Sequence, residues 1–160
     1  VKHVSAAMLD GLPVGVAITD ERLSPPWPVT LWLRPRVLVL GVGCRRDISK
    51  EALEAAVEDF LKGAGVSPLS LRAMASIELK RDEPALLEFC SRHGIPFVTY
   101  TAEELRMTEG RFASSEKVRE VTGVDNVCER AAVLASCGVL LRSKTLYPGI
   151  ALALAKISVD

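Results

Sequence analysis

The feature that most constrains this chain is a short apolar segment that ends in two glycines and runs directly into an amphipathic pattern. Residues 37–43 read Val-Leu-Val-Leu-Gly-Val-Gly, a β-branched apolar run of the kind that forms a buried strand. From Leu53 to Leu61, apolar residues recur at helical spacing, which predicts one helix over residues 50–62. A strand that turns through glycines into a helix is typical of sheets built from βαβ units. The segment therefore predicts an α/β fold.

A cysteine and two arginines follow the second glycine, at the predicted carboxyl end of this strand. Backbone N–H groups, the positive end of the next helix and two guanidinium groups would then share one edge of the sheet, which suits an anionic ligand. Arginine prefers planar anionic partners such as carboxylates and phosphates. We expect these residues to line a binding site for an anionic small molecule: Gly41, Gly43, Cys44, Arg45 and Arg46.

Other interpretations of this segment stay open at this point. The glycines can serve only a tight turn, with Gly43 at positive φ, or they can be half of a dinucleotide fingerprint whose third glycine would fall at Arg46. The two arginines can be solvated surface charges. Cys44 can be a nucleophilic thiolate, because neighbouring cations and a helix N-terminus lower the pKa of a thiol, although neither His3 nor His93 is an obvious base for it.

Charge and cysteine usage exclude several classes of function. Lys+Arg and Asp+Glu are equal at 20 each, a formal net charge of zero, which argues against a general nucleic-acid-binding protein. The 4 cysteines form no C-x-x-C pair and no zinc-like spacing with histidine, so we expect no protein metal site. There is no secretory signal pattern and no apolar run long enough to span a bilayer. We expect a cytoplasmic, reduced protein with no membrane partner.

Beyond the first helix, strand and helix patterns alternate along the chain. Apolar runs predict strands at 74–77, 95–100, 139–142 and 150–155, and periodic segments predict helices at 84–93, after Thr101, at 115–121 and at 127–136. The segment 143–149 is long enough for a hairpin but too short for a parallel crossover. We therefore predict a three-layer α/β/α domain with a mixed, mostly parallel sheet that ends in an antiparallel hairpin.

Polar and glycine residues at the helix boundaries predict how each helix begins and ends. Thr101 with Glu104, and Asn126 with Glu129, have capping-box spacing. The remaining expected boundary residues are Asp47 or Ser49 and Gly63 for the first helix, Asp82 and Gly94 for the second, and Gly138 for the last.

The first 36 residues differ in pattern from the rest. Residues 14–18 have the composition of a strand, whereas Ser-Pro-Pro-Trp-Pro at 24–28 cannot be regular structure. We expect 1–36 to be a linker or the tail of an upstream region, and 37–160 to form the domain. The first residue is Val1, which is consistent with a chain that continues upstream.

A charged loop follows the second predicted strand of the domain. In a parallel sheet, this loop and residues 41–46 lie at the same edge. Lys80 can bind a carboxylate there, and Glu78 or Asp82 can act as a general base. The plainer alternative is a solvated loop in which Asp82 caps the next helix. Lys144 lies in the predicted hairpin loop, where an exposed lysine is usually only solvated.

Three segments of the chain together resemble one family. They are residues 41–46 (Gly-Val-Gly-Cys-Arg-Arg), residues 76–84 (Ser-Ile-Glu-Leu-Lys-Arg-Asp-Glu-Pro), and residues 127–132 (Val-Cys-Glu-Arg-Ala-Ala) leading to Lys144 and Gly149. This combination looks like the C-terminal domain of CbiG, the cobalt-precorrin-5A hydrolase of anaerobic cobalamin biosynthesis, a domain shared with CobE of the aerobic route. The resemblance covers roughly residues 37–157. The chain departs from the usual family pattern at Asp47, where glycine is common.

The resemblance implies a reaction and a substrate. The reaction is hydrolytic opening of the ring A δ-lactone of cobalt-precorrin-5A, which gives cobalt-precorrin-5B and acetaldehyde. Arg45, Arg46, Lys80 and Lys144 would bind the carboxylates of this corrinoid. Cobalt would belong to the substrate, so no cofactor is expected.

The resemblance also suggests how the lactone would be opened and what else belongs to the enzyme. Glu78 or Glu129 would act as the base, and N–H groups after Gly43 would stabilise the oxyanion. An N-terminal domain of the family would lie outside this sequence, and a homo-oligomer is compatible with it. Two alternatives stay open: a non-catalytic module that binds corrinoid intermediates, and a nucleotide-binding regulatory domain.

Overall fold

The computed structural model describes residues 2–110, 112, 120 and 122–158. Within them the strands are β1 Lys2–Leu9, β2 Leu12–Ile18, β3 Val29–Leu33, β4 Leu38–Cys44, β5 Leu71–Ile77, β6 Phe97–Tyr100, β7 Val139–Tyr147 and β8 Ile150–Lys156. The helices are α1 Lys50–Gly63, α2 Pro84–His93, α3 Ala102–Arg106 and α4 Val127–Ser136, with 3₁₀ turns at Pro68–Ser70 and Glu78–Lys80. The helix predicted over 115–121 falls almost entirely outside the described residues.

The main sheet has the strand order β6-β5-β4-β8-β7. Strands β4, β5 and β6 are parallel, whereas β8 is antiparallel to both β4 and β7. Strand β4 is central, and residues 38–42 are fully buried in it, because a strand covered on both faces is apolar throughout. The predicted mixed sheet with a terminal antiparallel hairpin is confirmed.

Helices cover both faces of this sheet. On one face, Leu40 and Val42 pack in a core with Phe60 of α1 and Leu86 of α2. On the other face, Val39 and other buried residues pack against α3 and α4, through Leu105, Val127 and Ala131. The three-layer α/β/α architecture is therefore confirmed.

Several predicted helix boundaries are confirmed by side-chain hydrogen bonds. The Ser49 hydroxyl accepts from the Ala52 N–H at 3.1 Å. Thr101 and Glu104 form a complete capping box at the start of α3. The Asn126 side chain accepts from the Glu129 N–H at 3.2 Å at the start of α4, and Gly94 ends α2 with φ of 60°.

Three other boundary predictions were wrong by one or two residues. Gly63 is the last residue of α1, and the left-handed position is Gly65, with φ of 69°. Asp82 is exposed, and Glu83 occupies the N-cap position of α2 without a capping hydrogen bond. Cys137, with φ of 48°, ends α4. Gly138 is needed instead for packing, because a Cβ there would lie 2.9 Å from the Lys156 carbonyl carbon.

Strand β7 is longer than predicted, and this moves Lys144 from a loop onto a strand. The strand continues to Tyr147, pairs with β8 through two register irregularities, and leaves only Pro148 and Gly149 in the turn. The end of β7 contacts α1, where the Tyr147 hydroxyl donates to the Asp59 carboxylate at 2.8 Å. Nearer its start, the Arg142 guanidinium donates to the Phe60 carbonyl and lies 4.6 Å from the centre of the Phe60 ring.

The N-terminal segment forms a second, smaller sheet. The strand predicted at 14–18 is confirmed as part of β2, which pairs antiparallel with β1 and parallel with β3. Residues after β2 then run along the main domain, where the Ser67 N–H donates to the Asp20 carbonyl at 2.7 Å and Arg22 N–H to the Gly65 carbonyl at 2.8 Å. The Lys156 ammonium pairs with the Asp20 carboxylate at 2.7 Å. The division at residue 36 stays a prediction.

Candidate functional site

The ends of several elements meet at the carboxyl edge of β4. The Arg45 N–H, just after β4, donates to the Gly149 carbonyl at the hairpin tip, at 2.9 Å. The buried Ser76 hydroxyl of β5 donates to the Val42 carbonyl at 2.7 Å. Val127, the first residue of α4, lies near Gly43, since a Cβ on that glycine would be 4.0 Å from the Val127 Cβ. The positive end of α4 therefore lies at the edge where β4 ends.

The two glycines of β4 have different roles. Gly41 is buried, and a Cβ there would lie 2.8 Å from the Cys128 carbonyl carbon and 2.9 Å from the Ala132 Cβ. Its missing side chain is what allows the backbone of α4 to approach the sheet. At Gly43, by contrast, a Cβ would meet only ordinary contacts, at 3.9 and 4.0 Å.

The expectation of positive φ at Gly43 was wrong. The residue is still within β4 and pairs with Ala151 of β8, and it is not among the glycines with positive φ. The chain turns later, at Asp47, whose φ is 56°. A left-handed conformation favours glycine and is tolerated by aspartate, so Asp47 occupies a position that glycine would also suit.

Cys44 is partly buried at the end of β4, and its environment favours the thiol. The pKa of Cys44 is raised to about 11, mainly by burial. The positive charge of Lys80 opposes this rise, and the negative charge of Glu83 adds to it. The thiol is therefore protonated at neutral pH. A nucleophilic thiolate at Cys44 is therefore not favoured, because the effect of burial on its pKa is larger than the opposing effect of the nearby cation.

This environment predicts an order of reaction for the four cysteines. At pH 8, a thiol-modifying disulfide reagent should react first with the exposed Cys137 and far more slowly with Cys44, at a rate that rises with pH towards a pKa of about 11. Cys90 and Cys128 are buried, with the pKa of each raised to about 12, and should react only on unfolding. Replacing Cys137 by serine should abolish the fast phase alone. Rapid modification of Cys44 at pH 7 would contradict this order.

Four cationic side chains predicted to bind the ligand lie around this edge. Arg45 and Arg46 are exposed in the turn after β4, and Lys80 is partly buried in the turn after β5. Lys144 lies on β7 beside the first turn of α4, where its charge lowers the pKa of Cys128 against the larger effect of burial. None of the four forms an ion pair with another residue in the described part of the chain. They remain available to anionic groups of a ligand.

The two glutamates predicted to be catalytic lie in contrasting environments. Glu78 is exposed at the start of the turn after β5. Glu129 is only 2% exposed, and its carboxylate accepts from the Lys144 N–H at 2.6 Å. Glu129 thus ties α4 to β7, and both catalytic roles stay predictions.

Glu83, to which the sequence patterns assigned no role, is the most unusual carboxylate at this edge. It is 5% exposed, and its Oε1 atom has no hydrogen-bond partner in the described part of the chain. Its charge acts on Cys44. A Glu-Pro pair at a helix start is ordinary, so nothing local in the sequence indicates this burial.

The ranges that the structure describes contain no cluster of three or more histidine, cysteine, aspartate or glutamate side chains that could bind a metal ion. Over the same ranges, no helix has the length and apolar character needed to cross a membrane.

The fold and this edge define an α/β domain that presents uncompensated cations where its central strand ends. Residues 38–155 match the family model described as "Cobalamin synthesis G C-terminus". The chain belongs to this CbiG C-terminal family of cobalamin biosynthesis.

Individual relatives agree with this assignment. The chain is 39% identical over 131 residues to a protein of Salmonella typhimurium named cobalt-precorrin-5A hydrolase, an alignment that covers 81% of the chain and 37% of that protein. It is 39% identical over 98 residues to Protein CobE of Sinorhizobium sp, covering 61% of the chain and 64% of that protein. The crystal structure of CobE, a protein from the cobalamin biosynthetic pathway, superposes with a TM-score of 0.72 at 34% identity, covering 79% of the chain and 94% of CobE. The chain thus spans little more than a third of the Salmonella hydrolase.

Proposed function

We propose that this chain hydrolyses the ring A δ-lactone of cobalt-precorrin-5A to give cobalt-precorrin-5B and acetaldehyde. Its similarity to a protein named for this activity supports the proposal. The observation that carries it is the set of cations without ion-pair partners around the end of β4. A corrinoid is a flat macrocycle fringed with acetate and propionate carboxylates, so it needs several donors around an open edge rather than one closed pocket.

The four cations divide between two sides of this edge. Arg45 and Arg46, on the turn after β4, would each bind a carboxylate through charge-assisted hydrogen bonds. Lys80 would take a group nearer Cys44, and Lys144 one nearer α4. Such contacts orient the lactone at the end of β4, where the positive end of α4 favours developing negative charge.

Hydrolysis of the lactone then needs water, a base and a donor for the oxyanion. Water adds to the lactone carbonyl, and collapse of the tetrahedral intermediate breaks the acyl C–O bond. Of the N–H groups after Gly43 that are expected to serve the oxyanion, the Arg45 N–H is already bonded to the Gly149 carbonyl. Because that donor is taken, we assign the stabilisation of the oxyanion to the positive end of α4.

A second candidate function is binding without catalysis. The chain covers 94% of the CobE structure but only 37% of the Salmonella hydrolase, so the matched region also corresponds to nearly all of a solved CobE chain. In this alternative, the same cations hold a corrinoid intermediate for chemistry performed elsewhere.

One titration separates the two candidates. Purified protein is titrated with cobalt-precorrin-5A while the corrinoid spectrum and acetaldehyde are measured in the same tube, with buffer alone as control. We expect saturable binding and one acetaldehyde released for each corrinoid converted. Binding without acetaldehyde would support the non-catalytic module. Absence of binding, with a thermal shift caused by a nucleotide instead, would contradict both.

A further inference from the structure

The carboxylate of Glu83 is buried at the edge of the site. The residue is 5% exposed, and among the described residues its Oε1 atom has no hydrogen-bond partner and no cation forms an ion pair with it. A buried carboxylate is costly unless hydrogen bonds or an opposite charge compensate for lost hydration. Such orphaned groups are rare in folded proteins, and a catalytic role is one of the few reasons to keep one.

The backbone holds this carboxylate next to the end of β4. Glu83 immediately precedes α2, and its N–H donates to the Lys80 carbonyl at 3.0 Å. Its negative charge and the positive charge of Lys80 both act on the Cys44 thiol. Glu83 and Lys80 therefore both lie close to the residue that ends β4.

The other two candidate bases lack this combination. Glu78 is exposed to solvent, and the carboxylate of Glu129 already accepts a backbone hydrogen bond from Lys144. Glu83 is shielded from water yet retains an uncommitted oxygen atom. A shielded and uncommitted carboxylate is well suited to accept a proton from a single water molecule.

We propose that Glu83 is the general base of the lactone hydrolysis, an inference that rests on the proposed function. The carboxylate takes a proton from water as the water oxygen bonds to the lactone carbonyl carbon. The acyl C–O bond then breaks, and Glu83 returns the proton to the departing oxygen. This step adds one water across one ester bond and leaves a hydroxyl on the two-carbon fragment. The hydroxyl then loses its proton as the C–C bond to the ring breaks. The fragment leaves as acetaldehyde, the electron pair of that bond stays on the macrocycle, and no oxidant or reductant is needed.

The test is the substitution Glu83→Gln, which keeps shape and removes basicity. We expect kcat for acetaldehyde release to fall about 100-fold or more, while the affinity for cobalt-precorrin-5A is unchanged or higher. The Tm should be unchanged or a few degrees higher, because the variant no longer buries an uncompensated charge. The matched control is Glu88→Gln, which removes a partly exposed carboxylate from α2, where it pairs with Lys50, and should leave kcat unchanged.

Recovery of activity by an added carboxylate distinguishes a general base from a residue that only supports the fold. Formate added to Glu83→Ala should restore part of the lost turnover, as it would not for a residue that only supports the fold. Full activity of Glu83→Gln beside an active wild type would overturn the role of Glu83 and leave the hydrolase proposal intact. A marked fall in Tm with loss of binding, or a 100-fold loss in Glu78→Gln instead, would overturn it as well. A wild-type protein that binds the corrinoid but releases no acetaldehyde would overturn both proposals.

Discussion

Replacing Gly41 by alanine is expected to lower the free energy of unfolding by about 3 kcal/mol or more, the upper range for overpacking a core. The added Cβ would lie 2.8 Å from the Cys128 carbonyl carbon and 2.9 Å from the Ala132 Cβ. Both neighbours belong to α4, and one is backbone, so neither can rotate away. Either α4 moves off β4 or the strand shifts, and both responses disturb packing that a dense core cannot easily adjust. Urea unfolding followed by circular dichroism measures the loss.

Gly43→Ala is the matched control for this prediction. It makes the same chemical change two residues along the same strand, where the added Cβ would have only ordinary contacts, at 3.9 and 4.0 Å. Its backbone φ is also not positive. We expect stability to change by less than about 1 kcal/mol, since alanine also restricts the unfolded chain. Equal losses for the two variants would contradict the close approach of α4 to Gly41.

Replacing Arg45 and Arg46 together by alanine is expected to weaken the binding of cobalt-precorrin-5A about 100-fold. Hydrogen bonds to charged groups contribute roughly 1.5–3 kcal/mol each, and the lower figure applies here because exposed sites are screened by solvent. Both side chains are exposed and form no ion pair with any residue that the structure describes, so the free energy of unfolding should stay within about 0.5 kcal/mol of the wild type. The affinity difference should shrink as salt is added. Optical titration of both proteins gives the two dissociation constants.

Arg72→Ala controls for the general loss of positive charge. Arg72 is exposed near the start of β5, at the opposite edge of the parallel strands. Its loss should leave the affinity unchanged. If the double variant also bound cobalt-precorrin-5A with wild-type affinity, the turn after β4 would not be part of the corrinoid site.

Sequence patterns were most reliable where the determining interactions are local. The spacing of Leu53 and Leu61 predicted α1, and Ser49 was correctly placed at its start, because helical periodicity and capping depend on residues a few positions apart. The short segment before Ile150 correctly predicted an antiparallel hairpin, since chain length alone excludes a parallel crossover. The extent of β7 was underestimated, because its pairing with β8 resumes at the polar residue Thr145 after an irregularity that follows Arg142, and these residues carry no strand signal of their own.

The candidate site was only partly predictable for the same reason. The carboxyl edge of β4 and its arginines follow from the order of elements, because parallel strands bring their ends together. Glu83 was missed because its burial depends on how α2 packs beside the end of β4. Conversely, Glu129 was predicted to be catalytic from its neighbours in the chain, whereas its observed hydrogen bond comes from the Lys144 backbone, 15 residues away.

What the sequence determined by itself is the order of the main strands and helices after residue 36, the α/β class and the edge of the sheet that carries the cations. These follow from periodicity, chain length and turn residues, all of which act over short distances. Only the tertiary structure decided that Gly41 rather than Gly43 must be glycine, that Asp47 makes the left-handed turn and that the Glu83 carboxylate is buried, with Oε1 unbonded among the described residues. Close approach and desolvation arise between segments far apart in the chain, so no local pattern encodes them.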